Sequence, residues 1–334
     1  MKFMLPVLVV LASVPGVHAQ SDAMPFPTGE SYVLPNGRIA FHGSRSMAPL
    51  VDALDTKFVE MHPGFKFAAL LKGSDTAMPA LAAGATPIAF VVGDATQADQ
   101  RAFRAIHKHD PVSIRIGYAG HGPRAGAMMP PAVYVHSSNP LQGLTMAQLA
   151  GIFTSGSRTG DINSWSQLRV GGAWEARRIH VYGLRDDGAF STTLRLTRLG
   201  GMPFTGHYEP LADNAAVVQA VASDPFGIGL VNWLPSAQSS AAAKIVPLAA
   251  DSGTPFVTPD RANVGNGTYP LTPFVTLYFD HAPNQPIEPF VKAYLAMVLS
   301  DEGQAIIARL ADSEKGFLPL SADDLRRERD KLKD

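Results

Sequence analysis

Three turns in this chain place hydroxyls and charges where an apolar run gives way to helical periodicity. Gly43-Ser44-Arg45-Ser46 and Gly73-Ser74-Asp75 are the first two. A helix N-terminus carries unpaired N–H groups and the positive end of the dipole, so it holds an anion well. Ser44, Ser46 and Ser74 would add hydroxyl donors there, although each serine taken alone is most simply the cap of its own helix. The third turn, Arg185-Asp186-Asp187-Gly188, closes another apolar run. A guanidinium at the carboxyl end of a strand can grip two oxygens of an anion, and a nearby Asp can hold it in place. Taken alone, that turn is most simply a surface ion pair of little energetic weight.

Patterns for covalent or metal chemistry are weaker. The chain has no Gly-x-Ser-x-Gly elbow, no Ser-x-x-Lys and no His-Glu-x-x-His. His107-Lys108-His109-Asp110 sets two histidines near a carboxylate, but i, i+2 spacing puts them on different sides of a helix and predicts a solvated surface. No metal ligands or cofactor are therefore expected. Cysteine is absent, which excludes disulfides, thiolate metal sites and a thiol nucleophile. With 28 basic against 29 acidic side chains there is no basic excess for nucleic acid. Trp165 and Trp174 could stack a ligand but read more simply as buried packing or a lobe rim, and the alternating charges of residues 323–334 read as an exposed, salt-bridged helix.

The elements that must position these residues alternate along the chain. Residues 1–19, with Lys2, an apolar stretch and a Val17-His18-Ala19 ending, have the form of a cleavable secretory signal, cut near Ala19. No later stretch has the roughly 18 uninterrupted apolar residues needed to span a bilayer, so no stable membrane insertion is expected. Residues 20–36 read as a leader with little structure. Strands are expected at 38–42, 65–71 and 87–92, separated by a helix with Leu50, Leu54, Phe58 and Met61 on one face and a second helix over 78–83. Two strand–turn–helix units in a row imply crossovers and a mostly parallel sheet. The style repeats with strands at 133–136, 179–184 and 227–231, and returns with a strand at 274–279 and helices over 287–299 and 301–310. Chain crossings near residues 117–132 and 266–273 would give one lobe from residues 37–125 and 270–334, with a second lobe, 126–269, inserted in its middle. Two linkers make a hinge with a cleft between the lobes.

Taken in order, these pieces resemble the periplasmic phosphate-binding proteins, the solute-capturing component of phosphate ABC transporters, within the type II periplasmic binding-protein fold. Gly43-Ser44-Arg45-Ser46-Met47-Ala48-Pro49-Leu50 is similar to the family's Gly-Ser-Ser-Thr-x-x-Pro-Leu. Asn139-Pro140-Leu141, Leu144-Thr145-Met146-Ala147-Gln148-Leu149 and Ile152-Phe153-Thr154 resemble its Asn-Pro-x-x-x-Leu-Thr-x-x-Gln-Leu-x-x-Ile-Phe-x-Gly. Asn214 to Val221, Ile228-Gly229-Leu230 and Leu299-Ser300-Asp301-Glu302-Gly303-Gln304 resemble three later motifs, so the likeness runs from about Phe41 to Leu320.

The resemblance implies a two-lobed α/β binding protein that performs no chemistry. Its implied anion ligands are Ser44 and Ser46 in the first turn, Ser74 in the second, Asp94 after the third strand, Arg185 with Asp187 orienting it, and Ser191. It implies phosphate or a related oxyanion as ligand, an ABC permease as partner, a periplasmic location and a monomer. The chain departs from the family at Ala189-Phe190-Ser191, where the pattern continues Ser-Gly-Thr, and at Arg45, where a small hydroxyl residue is usual. A ring in place of Gly favours the alternative: a binding-fold protein that no longer takes phosphate and serves as a sensory, surface or secretion-associated interaction module.

Overall fold

Runs such as Ile39–Gly43 and Ile88–Val92 are apolar on both faces of the strand, which requires helices on both sides of the sheet they join. A computed structural model describes residues 24–120, 129–234 and 239–333, and the expected signal sequence lies outside them. The strands are β1 (Ile39–Gly43), β2 (Phe67–Leu70), β3 (Ile88–Val92), β4 (Val112–Tyr118), β5 (Pro131–His136), β6 (Leu144–Thr145) and β7 (His180–Leu184), then β8 (Tyr208–Leu211), β9 (Gly227–Asn232), β10 (Ala243–Ile245), β11 (Leu248–Ala249), β12 (Phe274–Phe279) and β13 (Leu318–Pro319). The helices are α1 (Ala48–Met61), α2 (Ser74–Ala82), α3 (Gln97–His107), α4 (Met146–Phe153) and α5 (Ala189–Thr197), then α6 (Asn214–Ser223), α7 (Arg261–Gly265), α8 (Pro289–Val298), α9 (Asp301–Leu310) and α10 (Ala322–Asp330).

Among the described residues two larger sheets result, ordered β13-β4-β12-β3-β1-β2 and β10-β5-β9-β7-β8, with β6 and β11 forming a small third. In the first sheet β1, β2 and β3 are parallel, and β12 runs against both β3 and β4. In the second, β7 is parallel to β8 and β9, while β5 runs against β9. The reversals of β5 and β12 have one cause. β5 and β12 are the first strands of their sheets after the chain crosses from the other sheet. A chain entering by the edge where its neighbours end must run against them. The sheets are thus parallel in their helix-connected parts and mixed where the crossings enter.

The pleat sorts the core. On β3, Ile88 and Phe90 face an aromatic cluster with Phe41, Phe58, Phe290 and Tyr294, whereas Ala89 and Val91 pack with Met78, Leu81 and Phe103 under α2 and α3. On β5 and β9, Val133, Val135, Ile228 and Leu230 face one way, and Ala132, Tyr134 and Val231 meet Val217 and Val221 of α6. Phe58 lies edge-on to Phe290 at 5.6 Å between ring centres. Its truncation would cost about 3–5 kcal/mol.

Local readings differ in several places. Met61, expected on the buried face of α1, is half exposed, and Val51 takes its share of the core beside Leu50, Leu54 and Phe58. The stretch expected to be a leader is partly tied down: Tyr32 is buried, its carbonyl accepts the Ala40 N–H at 2.9 Å, and Val33 bridges Ile39. Nor is the histidine pair a solvated surface. Helix α3 ends at His107 because Lys108 adopts a left-handed φ of +68°, which folds His109 back beside His107. Both rings stand on Phe103, His107 stacked at 4.2 Å and His109 edge-on at 5.8 Å. Trp165 is fully buried and donates to the Phe226 carbonyl at 3.1 Å, in keeping with a packing role. Helix α10 carries an exposed i, i+3 ion pair between Asp323 and Arg326, but Glu328, expected to be exposed, is buried and accepts the Arg115 N–H at 3.0 Å.

Candidate functional site

On the first lobe, the hydroxyls and the carboxylate converge because β1 and β3 are parallel neighbours whose carboxyl ends share one edge, where ligands of open α/β sheets bind. Gly43 closes β1 against Phe90: a Cβ there would lie 2.4 Å from the Phe90 carbonyl oxygen, the same oxygen that accepts the Ser44 N–H at 2.9 Å. Ser44 Oγ and Ser46 Oγ share a hydrogen bond of 2.9 Å. The Gly73 N–H donates to the Gly43 carbonyl at 2.9 Å, which brings the start of α2 alongside. Ser74 Oγ there accepts the Val92 N–H at 3.4 Å. Beyond Val92, Gly93 takes φ +98°, a conformation glycine adopts freely, and turns Asp94 out of the sheet edge. Ser44, Ser46, Ser74 and Asp94 therefore share the end of one sheet.

The second lobe arranges its charges otherwise. Arg185 follows β7 and is gripped in two places by Asp187, Nε to Oδ1 at 3.0 Å and Nη2 to Oδ2 at 2.8 Å. The pair stands in the open, with side chains 73% and 66% exposed, and the hydrogen bonds from Arg185 hold the Asp187 carboxyl below its ordinary range. Asp187 uses two of the five guanidinium N–H donors, so it orients Arg185 without exhausting it. Arg185 lines a depression of about 370 Å³ with the first turn of α5 and with Asp213 and Asn214 at the start of α6. Ser191 is buried and donates to the Leu184 carbonyl at 3.2 Å, so its hydroxyl serves the strand end rather than open solvent.

The cation that meets Asp94 is one the sequence motifs did not single out. Arg198, just past α5, reaches across the lobes, its Nη2 3.0 Å from Asp94 Oδ2 and 3.2 Å from the Thr272 carbonyl. Both side chains of the ion pair are about one-fifth exposed, at 20% and 22%. They stand at a cleft of about 300 Å³ floored by the two crossings, Met129 and Pro131 on one and Leu271 and Pro273 on the other. Phe190 and Leu194 of α5, with Arg198 just beyond its end, wall it. Ala189 and Phe190 line both the cleft and the Arg185 depression. The ring at the position where the family pattern has a glycine thus contributes to the lining of both cavities. Spacing gave some signal for Arg198, since Phe190, Leu194 and Arg198 repeat every four residues along one helical face, but nothing in the sequence marked Asp94 as its partner.

Two sheets joined by two crossings over a charged cleft define a two-lobed binding-protein architecture. A family model described as "PBP superfamily domain" matches residues 31–302, and the chain belongs to that family. It is 27% identical over 290 residues to the phosphate-binding protein PstS of Pseudomonas aeruginosa, covering 86% of this chain and 84% of that one. Among solved structures it resembles PstS from Borrelia burgdorferi, with a TM-score of 0.57 at 15% identity over 85% of this chain and 98% of that one. It also resembles an ABC-type phosphate transport receptor from Vibrio cholerae, with a TM-score of 0.51 at 18% identity over 84% and 100%. Whole-chain comparison and fold agree with the resemblance read from the motifs.

Proposed function

We propose that this chain is an exported solute-binding protein that captures phosphate, or a related oxyanion, between its lobes and delivers it to an ABC permease. The observation that carries the reading is that Ser44, Ser46, Ser74 and Asp94 gather at one end of the first sheet, where Asp94 meets Arg198 of the second lobe. The names of the Pseudomonas relative and of the Vibrio receptor support phosphate as the ligand and transport as the purpose. The form of residues 1–19 supports export to the periplasm, and no described helix is long and apolar enough to cross a membrane.

Capture works by hinge closure without chemistry: the ligand accepts hydrogen bonds from Ser46 and Ser74 on one lobe and from Arg185 and the α5 N-terminus on the other. Arg198 matters to the electrostatics, because it neutralises Asp94 and lets an anion approach a carboxylate. Asp94 then accepts the proton that phosphate, unlike sulfate, still carries near neutral pH.

A thermal-shift titration with phosphate on the unmodified chain and on Arg185→Ala tests the reading. The expected result is a rise in melting temperature for the unmodified chain alone, with equal melting of the two proteins before phosphate is added. No shift in the unmodified chain at millimolar phosphate would favour the second reading, an interaction module, for which the position of Phe190 between the two cavities is the specific support.

A further inference from the structure

At the end of the first lobe away from the cleft, three side chains converge in a way that two neutral imidazoles do not satisfy. His107 closes α3, His109 follows the left-handed Lys108, and Asp280 follows β12. His107 Nδ1 lies 2.9 Å from Asp280 Oδ2, and His109 Nε2 lies 3.2 Å from Asp280 Oδ1. The opposite nitrogen of each ring faces a backbone carbonyl: His107 Nε2 is 3.0 Å from the Ala82 oxygen, and His109 Nδ1 is 3.1 Å from the Asp110 oxygen. A carbonyl oxygen only accepts, so each ring places its N–H there. That leaves a neutral ring of either histidine with its lone pair aimed at a carboxylate oxygen. Both contacts become attractive only if each ring takes a second proton, or if a cation stands between the three groups.

The geometry points to a divalent transition-metal site formed by His107 Nδ1, His109 Nε2 and the Asp280 carboxylate, with zinc as its best-matched ion. The three ligand atoms lie within 4.8 Å of one another. Tetrahedral zinc with bonds of about 2.0–2.2 Å sets its ligands about 3.4 Å apart; the nitrogen–oxygen distances here, 2.9 and 3.2 Å, run to the two different oxygens of Asp280, so a turn of the carboxylate would present one oxygen to the ion. Two imidazoles and a carboxylate suit zinc and its neighbours rather than calcium or magnesium, which take oxygen ligands. The carbonyls of Ala82 and Asp110 do what outer partners of metal-bound histidines do, fixing the tautomer and the ring orientation. Ring positions are already set by Phe103, and the histidine side chains are only 20% and 15% exposed. The 44% exposed Asp280 leaves room for a water as fourth ligand. An ion there would pin the end of β12 to the end of α3 and, through the Ala82 carbonyl, to the end of α2. Those are the far ends of the helices whose near ends carry Ser74 and follow Asp94.

The test uses the purified full chain stripped with a chelator and titrated calorimetrically with zinc chloride alone. The expected result is one zinc per chain, with affinity falling by about a hundredfold in Asp280→Asn and in His109→Ala. Long-range proton–nitrogen spectra of the unmodified chain give a readout independent of either variant's folding: zinc shifts Nδ1 of one histidine and Nε2 of one other. Absence of stoichiometric zinc uptake, unchanged affinity in both variants, or shifts on other nitrogens would overturn the proposal. The phosphate response is expected to persist in both variants, so this site and the cleft are judged separately.

Discussion

The two walls of the cleft are built from the same device, a strand that ends in a helix start, yet they differ in how their polar groups are spent. On the first lobe the bonds of Ser44, Ser46 and Ser74 given above stay within that lobe, and Asp94 takes a cation from across the cleft. On the second lobe Ser191 is turned into its own strand end, Arg185 is held by Asp187 in the open, and the charge that reaches the first lobe comes from the opposite end of α5. The first wall is set by one hydrogen-bonded sheet edge, so its residues cannot drift apart. The second depends on how α5 lies, and Phe190 near its start lines both the cleft and the Arg185 depression.

The largest expected effect is on the guanidinium that Asp187 orients. Arg185→Ala should abolish phosphate binding measurable by calorimetry, because closure of the lobes would desolvate the contact between guanidinium and anion. If Arg198→Ala did this and Arg185→Ala did not, the roles of the two ends of α5 would be exchanged. Next in size is selectivity. Phosphate over sulfate discrimination of roughly 10⁴, set by the proton Asp94 accepts, should fall to about tenfold in Asp94→Asn, read by competition between the two anions. Smaller still, restoring the family pattern with Ala189→Ser and Phe190→Gly should tighten phosphate by about tenfold, equivalent to about 1.4 kcal/mol. Weaker binding in that double variant would show that the ring itself shapes the pocket.

The smallest effect concerns the first lobe away from the cleft, where Asp55 bonds Tyr294 at 2.8 Å. Burial pushes the Asp55 carboxyl up from 3.8 to about 7. Its folded value lies above its unfolded one, so the native state binds more protons between those values, and stability is lost as pH rises through that window. The melting temperature should therefore decline between pH 5 and pH 7.5, and Asp55→Asn should flatten the decline. Phosphate affinity at constant pH should not change, which separates the scaffold of the first wall from its ligand groups.

Much of the first wall could be read from the sequence, because strand, Gly-Ser turn and helix are neighbours in the chain and their geometry is local. The paired strands at residues 39–43 and 88–92 were legible from apolar runs, and parallel pairing then brings Ser44, Ser74 and Asp94 together. Helix α3 and strand β4 carried weaker patterns: α3 buries only Phe103 among its residues, and β4 sits at the entry to a crossing. What the sequence did not show was long-range. The pairing of Arg198 with Asp94 joins residues more than a hundred positions apart, and the meeting of His107 and His109 at Asp280 hinges on one left-handed residue, Lys108. Neither a helical period nor a motif reports where a side chain lands after the chain has crossed between lobes.

Calorimetric titration of the unmodified chain with phosphate and then with sulfate tests the central claim most directly. The account predicts saturable, one-to-one binding of phosphate and no heat of binding with sulfate at the same concentrations. Equal binding of both anions would contradict the role of Asp94, and binding of neither would contradict capture of an oxyanion between the lobes.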